Sequence, residues 1–338
     1  MNKKQIISLV VAAAVFVVTG VSSVVVNTWS AAKEAESAKS SASAWNSLFG
    51  SAAGENLPEE DYVAVVPVEG TIYSEPATTT LFGETEGYNH PKTMEYIDKL
   101  IADSNNKAIM LYINTPGGEV TASDDLYLKL MKYKEETGRK IYCYFADQAC
   151  SGGYYIAMAA DEIYANRNCW TGSIGVIISL SNMQGLYDKL GIKEINITSG
   201  ANKAMGSAGE TLTEEQRAIL QSLVNEAYDQ FTGIVAEGRK LDIKTVKKLA
   251  DGRVYSANQA LKHKLIDGTG TYEDYQSKVE QELGEGIYFY ESDNVANSLS
   301  SLFSTFEQIR GRSDVEVISD LIENKGNGGL MYYEPGLE

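Results

Sequence analysis

Ser151, within Gln148-Ala149-Cys150-Ser151-Gly152-Gly153-Tyr154-Tyr155, is placed by its neighbours to act as a nucleophile. Upstream, Lys140 to Ala146 (KIYCYFA) is an apolar run rich in β-formers and too short for a helix, which predicts a buried strand. Downstream, Tyr154 to Ala160 is small, apolar and helix-forming. A serine between the two sits on a strand-to-helix turn, where two glycines let other backbone come close. Its hydroxyl would feel the helix N-terminus, whose unpaired N–H groups and dipole favour developing negative charge. The plain alternative is a serine that only caps the helix. Cys150 is a rival nucleophile, although adjacent side chains on such a turn point different ways.

Asn114-Thr115-Pro116-Gly117-Gly118 follows a second apolar strand, Ala108 to Ile113. Turn residues alone make an ordinary tight turn. Combined with the strand, Ser-Gly-Gly and helix that follow, the glycines would instead leave backbone N–H groups uncovered. Paired with the N–H of Gly152, they would supply the donors of an oxyanion hole.

A serine nucleophile needs a base. The chain has two histidines. His263, between Lys262 and Lys264, suits a solvated helix end, and His90 lies in a polar loop with nothing nearby to suggest a triad. Lysine is the other choice. Lys189 and Lys193 sit beside Asp188 and Glu194 and resemble surface lysines in weak charge pairs. Lys203 lies in Ile195 to Gly209 (INITSGANKAMGSAG), a stretch without a carboxylate in an acidic chain. Buried there with no counter-ion, its pKa would fall from ~10.4 toward neutrality, and a neutral amine can take a proton. Ser173, in Thr171-Gly172-Ser173-Ile174-Gly175, offers a hydroxyl on a glycine-flanked turn that could aim such an amine; a plain turn serine is its alternative.

The elements that must position these groups alternate. Strands are expected at Tyr62 to Val68, Ala108 to Ile113, Lys140 to Ala146 and Glu162 to Ala165, and helices at Thr93 to Ala102 and Glu119 to Glu136. A β-rich run follows Gly175, then a short helix near Met183 to Leu190 and a strand at Ile192 to Ile197. Thr213-Glu214-Glu215-Gln216 is a capping-box start for a long helix to Arg239. Shorter helices are expected at 245–249, 257–262 and 271–283. This β-α-β rhythm predicts an α/β fold with a mostly parallel sheet covered by helices.

The formal charge is −17, with 46 acidic and 29 basic residues, which argues against a nucleic-acid partner. Lys3 and Lys4 precede Ile6 to Val26, a run without an ionisable side chain. That length spans a bilayer and exceeds the ~7–15 residues of a signal-peptide core. An uncleaved single-pass anchor with a cytoplasmic N-terminus and an extracytoplasmic body is therefore expected. A cleavable signal is the rival, since Ser30-Ala31-Ala32 offers small residues near a cut. Domain boundaries follow: anchor 1–28, Ala/Ser-rich stalk 29–60, globular body 61–290, and a C-terminal helix (294–309) and tail within 291–338. Cys143, Cys150 and Cys169 form neither a disulfide framework nor a CxxC metal site, and no metal or organic cofactor is implied.

The motifs NTPGG (114–118), CSGGYY (150–155), TGSIGV (171–176) and SGANK (199–203) before Gly206-Ser207, in this order and spacing, resemble those of the signal peptide peptidase A family. These are membrane-anchored Ser/Lys peptidases of the ClpP/crotonase-like fold, and the resemblance covers roughly Tyr62 to Leu283. It implies Ser151 as nucleophile, Lys203 as general base, Ser173 holding the lysine amine, and Gly118 with Gly152 lining the oxyanion hole. It also implies a homo-oligomeric ring and substrates that are signal-peptide remnants or similar apolar peptides. Thr115, where the family commonly has Ser, and Cys150, where a small residue is usual, depart from the pattern. An acyl-CoA enzyme of crotonase type and a non-catalytic anchored scaffold are the rival functions. The first does not explain export.

The tail sets Leu330-Met331-Tyr332-Tyr333 among Gly326, Gly328, Gly329 and Gly336. Four apolar residues in a flexible terminus suggest either a disordered end or an extended segment that adds a strand to the peptide groove.

Overall fold

Alternate residues of three central strands face two different cores. The computed structural model describes residues 57–75 and 87–292 and the backbone of Met331–Tyr333. The expected anchor, most of the stalk and the helix expected at 294–309 lie outside the described residues. In β1 (Tyr62–Glu69), Tyr62, Ala64, Val66 and Val68 enter one core and Val63 and Val65 the other. In β2 (Asn106–Thr115) the sets are Ile109, Leu111 and Ile113 against Ala108 and Met110. In β4 (Lys140–Cys150) they are Ile141, Cys143 and Phe145 against Tyr142 and Tyr144. Strands covered on both faces become continuous apolar runs, which is why they stand out in the sequence.

These strands pair in parallel, β1 with β2 and β2 with β4, and β9 (Tyr288–Glu291) adds to β1. The far edge of β4 is shared. β5 (Glu162–Ala165) pairs with Tyr142 to Phe145, and β6 (Trp170–Gly172) pairs with Gln148 to Cys150. β8 (Gly268–Thr269) extends the sheet beyond β5, and β7 (Val254–Ser256) closes the β6 edge in the antiparallel sense. A second, two-stranded sheet joins β3 (Gly117–Glu119) to β10 (Met331–Tyr333).

Helices cover both faces. The larger core receives α1 (His90–Ala102), α2 (Val120–Thr137), α3 (Gly152–Ala157) and α5 (Glu214–Arg239). The other core is built from tyrosines of the sheet against Tyr272, Tyr275 and Val279 of α8 (Tyr272–Leu283), with the Tyr164 and Tyr275 rings stacked at 4.4 Å. The expected capping box of α5 is present, with Thr213 and Gln216 bonding each other's backbone N–H. The short α4 (Gln184–Leu190), α6 (Ile243–Leu249) and α7 (Ala257–Lys262) complete the set. Among the described residues no helix is long and apolar enough to cross a membrane.

Two expected β segments are not strands. After β6 the chain leaves the sheet at Ser173, whose φ of 49° is incompatible with extended pairing, and β7 already occupies that edge. Ile192 to Ile197 is irregular, with Ile195 80% and Ile197 97% exposed. β-propensity expresses fit to a pleated surface, and no described strand lies beside this segment to provide one.

Candidate active site

Ser151 joins β4 to α3 with φ 52° and ψ −113°. Four described non-glycine residues have positive φ, and Lys240 and Lys264 are at or beside helix ends. The other two are Ser151 and Ser173. Such backbone costs about 1–3 kcal/mol and persists only where the surroundings enforce it. Here the enforcement is visible: Ser151 N–H donates to Gly172 O at 2.8 Å, and its carbonyl accepts from Tyr155 N–H at 2.9 Å. The side chain makes no cap hydrogen bond, so Ser151 is not simply an N-cap. Its Oγ is buried without a hydrogen-bond partner, in a residue 1% exposed. A buried hydroxyl left unpaired costs about 1–3 kcal/mol.

The tyrosines that follow, which in the sequence are only helix residues, hold this turn in place. Tyr154 OH donates to Leu265 O at 2.8 Å. Tyr155 OH donates to the Asp124 carboxylate of α2 and accepts from Gln230 Nε2 of α5 at 2.7 Å. Its ring packs against Phe231 at 5.1 Å. The first turn of α3 is thus anchored to three neighbouring elements, and its N–H groups, including that of Gly152, have no intrahelical acceptor.

The turn at 114–118 packs against that first turn. Thr115, opposite Ala149 across a β-bulge, donates its hydroxyl hydrogen to Gly70 O and accepts from Gly117 N–H at 3.0 Å. Gly118 is pressed against Ile72, and a Cβ there would fall 1.9 Å from the Ile72 carbonyl oxygen. Only glycine lets β3 approach that backbone. β10 takes β3's other partner position, with Tyr332 opposite Gly118, and also lies against α3.

Ser173 is buried, one residue beyond the Gly172 carbonyl that holds Ser151, and its own N–H donates to Arg253 O at 2.9 Å. Ser173 is thus tied to Ser151 through Gly172, and Gly118 lies in the strand packed against the helix turn that Gly152 begins. Lys203 stands in neither place. It is exposed on an arm, residues 173–212, and its amine has no hydrogen bond or ion pair among the described residues. The burial expected for Lys203 is absent in the single chain. Its loop is also not free of carboxylates in space. Glu194 accepts from Ser207 Oγ at 2.6 Å and from Gly209 N–H at 2.9 Å, and the Ser207 hydroxyl leads in lowering its pKa. Glu194 is adjacent to Lys193 in sequence, which disguised it as half of a surface charge pair.

The rivals stand apart. His90 is buried at the start of α1, its Nδ1 2.7 Å from Tyr88 OH and its Nε2 4.0 Å from Asp125. Burial pushes its pKa down against the pull of Asp125 and Glu119. His263 is exposed at the end of α7. The Cys150 thiol is buried and directed to Trp170 O at 3.6 Å. Burial pushes the thiols of Cys143 and Cys169 well up. Among the described residues no group of three His, Cys, Asp or Glu could hold a metal. A cavity of about 350 Å³ lies between the arm and α5, lined by Ile178, Leu180, Gly206, Leu212, Leu220 and Val224. Ser151 does not line it.

Residues 133–285 match peptidase family S49. Over 284 residues the chain is 35% identical to a protein of Enterococcus faecium provisionally named signal peptide peptidase SppA, covering 81% of each chain. A provisionally named protease of Methanocaldococcus jannaschii is 35% identical over 66% of this chain and 76% of its own. Protease 4 of Haemophilus influenzae is 30% identical over 74% of this chain but only 40% of its own length.

Proposed function

The chain belongs to peptidase family S49 and is a serine peptidase related to SppA, and from that premise we propose a membrane-anchored, extracytoplasmic endopeptidase of ClpP/crotonase-like fold that degrades signal-peptide remnants and similar apolar peptides. The observation that carries this reading is Ser151, a strained, buried serine with an unpartnered hydroxyl at the start of a helix turn packed against the Gly117–Glu119 strand. Lys3 and Lys4 ahead of an uncharged run support the anchor and its orientation.

In the proposed reaction Ser151 Oγ attacks the scissile carbonyl carbon while its proton passes to the neutral Lys203 amine. The N–H groups of Gly118 and Gly152 stabilise the oxyanion. Collapse breaks the C–N bond, and the leaving amine takes the proton from Lys203. The Lys203 amine then deprotonates a water that attacks the acyl-enzyme ester, and returns that proton to Ser151 Oγ as the ester C–O bond breaks. Ser173 holds the lysine amine toward Ser151.

One copy leaves Ser151 without a base and Lys203 without a partner among the described residues. The arm that carries Lys203 also exposes Leu186, Leu190, Ile192, Ile195 and Ile197, an apolar surface suited to a neighbouring copy. We therefore place the working dyad between copies in a homo-oligomeric ring, one giving Ser151 and the next Lys203. Mixing two inactive variants tests this. Ser151→Ala and Lys203→Ala should each lose at least about 10³-fold in kcat/KM on an apolar peptide. Co-assembled in equal amounts, they should regain about one quarter of wild-type activity, because one junction in four then holds both native residues. No regain would put the dyad within one chain, and an active Lys203→Ala would remove lysine as the base. A Ser151 that a fluorophosphonate does not phosphonylate would overturn the peptidase reading.

A further inference from the structure

The loop that carries Lys203 leaves the arm near Ile195 and returns to it at Gly209, and one carboxylate closes its neck. Glu194 Oε1 accepts from Ser207 Oγ at 2.6 Å and from Asn196 Nδ2 at 3.1 Å, while its Oε2 accepts from Gly209 N–H at 2.9 Å. Bonds to an ionised acceptor are about twice as strong as neutral ones. The neck is tied in turn to α4. Met183 N–H donates to Ala208 O at 2.7 Å, and Ile192 N–H donates to Tyr187 O at 2.9 Å.

The other side of the loop meets the first turn of α5. There Asn202 Nδ2 donates to Glu215 at 3.3 Å, and Gln216 Nε2 lies 3.5 Å from Ala201 O. Between the two anchored points the backbone winds through successive tight turns. Lys203 N–H donates to Gly200 O at 3.1 Å, Met205 N–H to Asn202 O at 3.2 Å and Ser207 N–H to Ala204 O at 3.0 Å.

An amine without a side-chain partner in its own chain is aimed by its backbone. We propose that Glu194 is a positioning residue for the general base: by closing the neck of the loop it fixes the direction in which Lys203 is presented to Ser151. The proposal rests on Lys203 as the base and deepens that reading with a residue that acts only through the loop. Closing the neck also shortens the free segment, so fewer loop conformations compete with the productive one. Gly209 has to be glycine for this contact, since a Cβ there would fall 2.4 Å from Glu194 Oε2 and 2.8 Å from its Cβ. Gly209→Ala therefore opens the neck while leaving the carboxylate in the chain.

The test uses full-length protein in detergent. Glu194→Ala should lose about 10²-fold in kcat on a short apolar peptide, the cost of a base displaced by about 1 Å, with KM changed less than about twofold. Gly209→Ala should show the same split, and Glu194→Gln, which keeps one acceptor oxygen, should fall between Glu194→Ala and wild type. Amide hydrogen exchange at 200–209 should accelerate in all three. Mixed assemblies separate aiming from folding. In the reference mixture of Ser151→Ala with Lys203→Ala, the first chain supplies the working lysine. Glu194→Ala added to that first chain should cut the regained activity about 10²-fold. Added instead to the Lys203→Ala chain, it should leave the regained activity within about twofold of the reference. Equal losses in the two mixtures would make Glu194 a general stabiliser of the arm and overturn the proposal. Full kcat in Glu194→Ala beside an inactive Lys203→Ala would overturn it and leave lysine as the base. An active Lys203→Ala would refute the base itself. Should the reference mixture regain nothing, a kcat loss in Glu194→Ala and Gly209→Ala at unchanged urea midpoints carries the proposal, and a loss that follows the midpoint overturns it.

Discussion

A methyl group added at Gly153 would sit 2.5 Å from Thr115 Cγ2, 3.3 Å from Ile113 Cγ2 and 3.6 Å from Thr115 O. Only the first contact is intolerable, and Thr115 cannot rotate to relieve it. Its hydroxyl is held by Gly70 O and Gly117 N–H, so turning Cγ2 away would break both bonds. Gly153→Ala should therefore cost about 2 kcal/mol, within the range for overpacking a filled core. Thr115→Ser keeps the hydroxyl and deletes the offending carbon, at about 1 kcal/mol for a lost buried methyl. The double variant should then cost about 1 kcal/mol rather than 3, a coupling of about 2 kcal/mol. Urea denaturation in a Ser151→Ala background, which prevents self-digestion, measures all three. In the active protein the same strain would push the first turn of α3, and with it Ser151, away from the 114–118 turn. A misplacement of about 1 Å costs on the order of 10²-fold, so Gly153→Ala should lose much of its kcat and Thr115→Ser/Gly153→Ala should recover most of it. Costs that simply add, within about 0.5 kcal/mol, would refute the claim that the Thr115 methyl sets the distance between nucleophile and oxyanion turn.

Gly118→Ala should be more damaging, because its Cβ meets backbone rather than a side chain that can be changed. β3 must move off Ile72, and loss of one oxyanion donor alone lowers kcat about 10²–10³-fold; full kcat in a folded Gly118→Ala protein would remove Gly118 from the hole. His90 gives a pH signature separate from catalysis. Burial lowers its pKa in the fold, while the unfolded imidazole titrates near ~6.5, so below that pH the unfolded state binds the extra proton. Stability should fall as pH drops through about 6.5 toward the lowered value, and His90→Gln should flatten that fall in urea midpoints between about pH 7 and 5.5. Parallel profiles for the two proteins would show that His90 is not neutral in the fold.

Local chemistry and covalent order made the nucleophile legible. An apolar run, a serine with two glycines and a small helical segment determine a strand-turn-helix wherever they occur, and Thr213 with Gln216 encodes its own helix start. The doubly covered strands were equally plain, since burial on both faces leaves an uninterrupted apolar run. Other features had no local signal. Ile192 to Ile197 has strand composition, yet a strand exists only where another strand supplies its hydrogen bonds, and none is beside it. Tyr154 and Tyr155 are ordinary helix residues until α2, α5 and Leu265 arrive to receive their hydroxyls. Gly118 carries no mark of Ile72, which lies far from it along the chain, and the closeness of that approach is a property of two backbones. The carboxylate-free sequence around Lys203 suggested a buried amine, but burial depends on what covers the loop, and in one chain nothing described does. An apolar tail could be recognised from composition. Which edge it would join was decided by tertiary structure, because Ile72 closes one side of β3 and leaves the other to be paired.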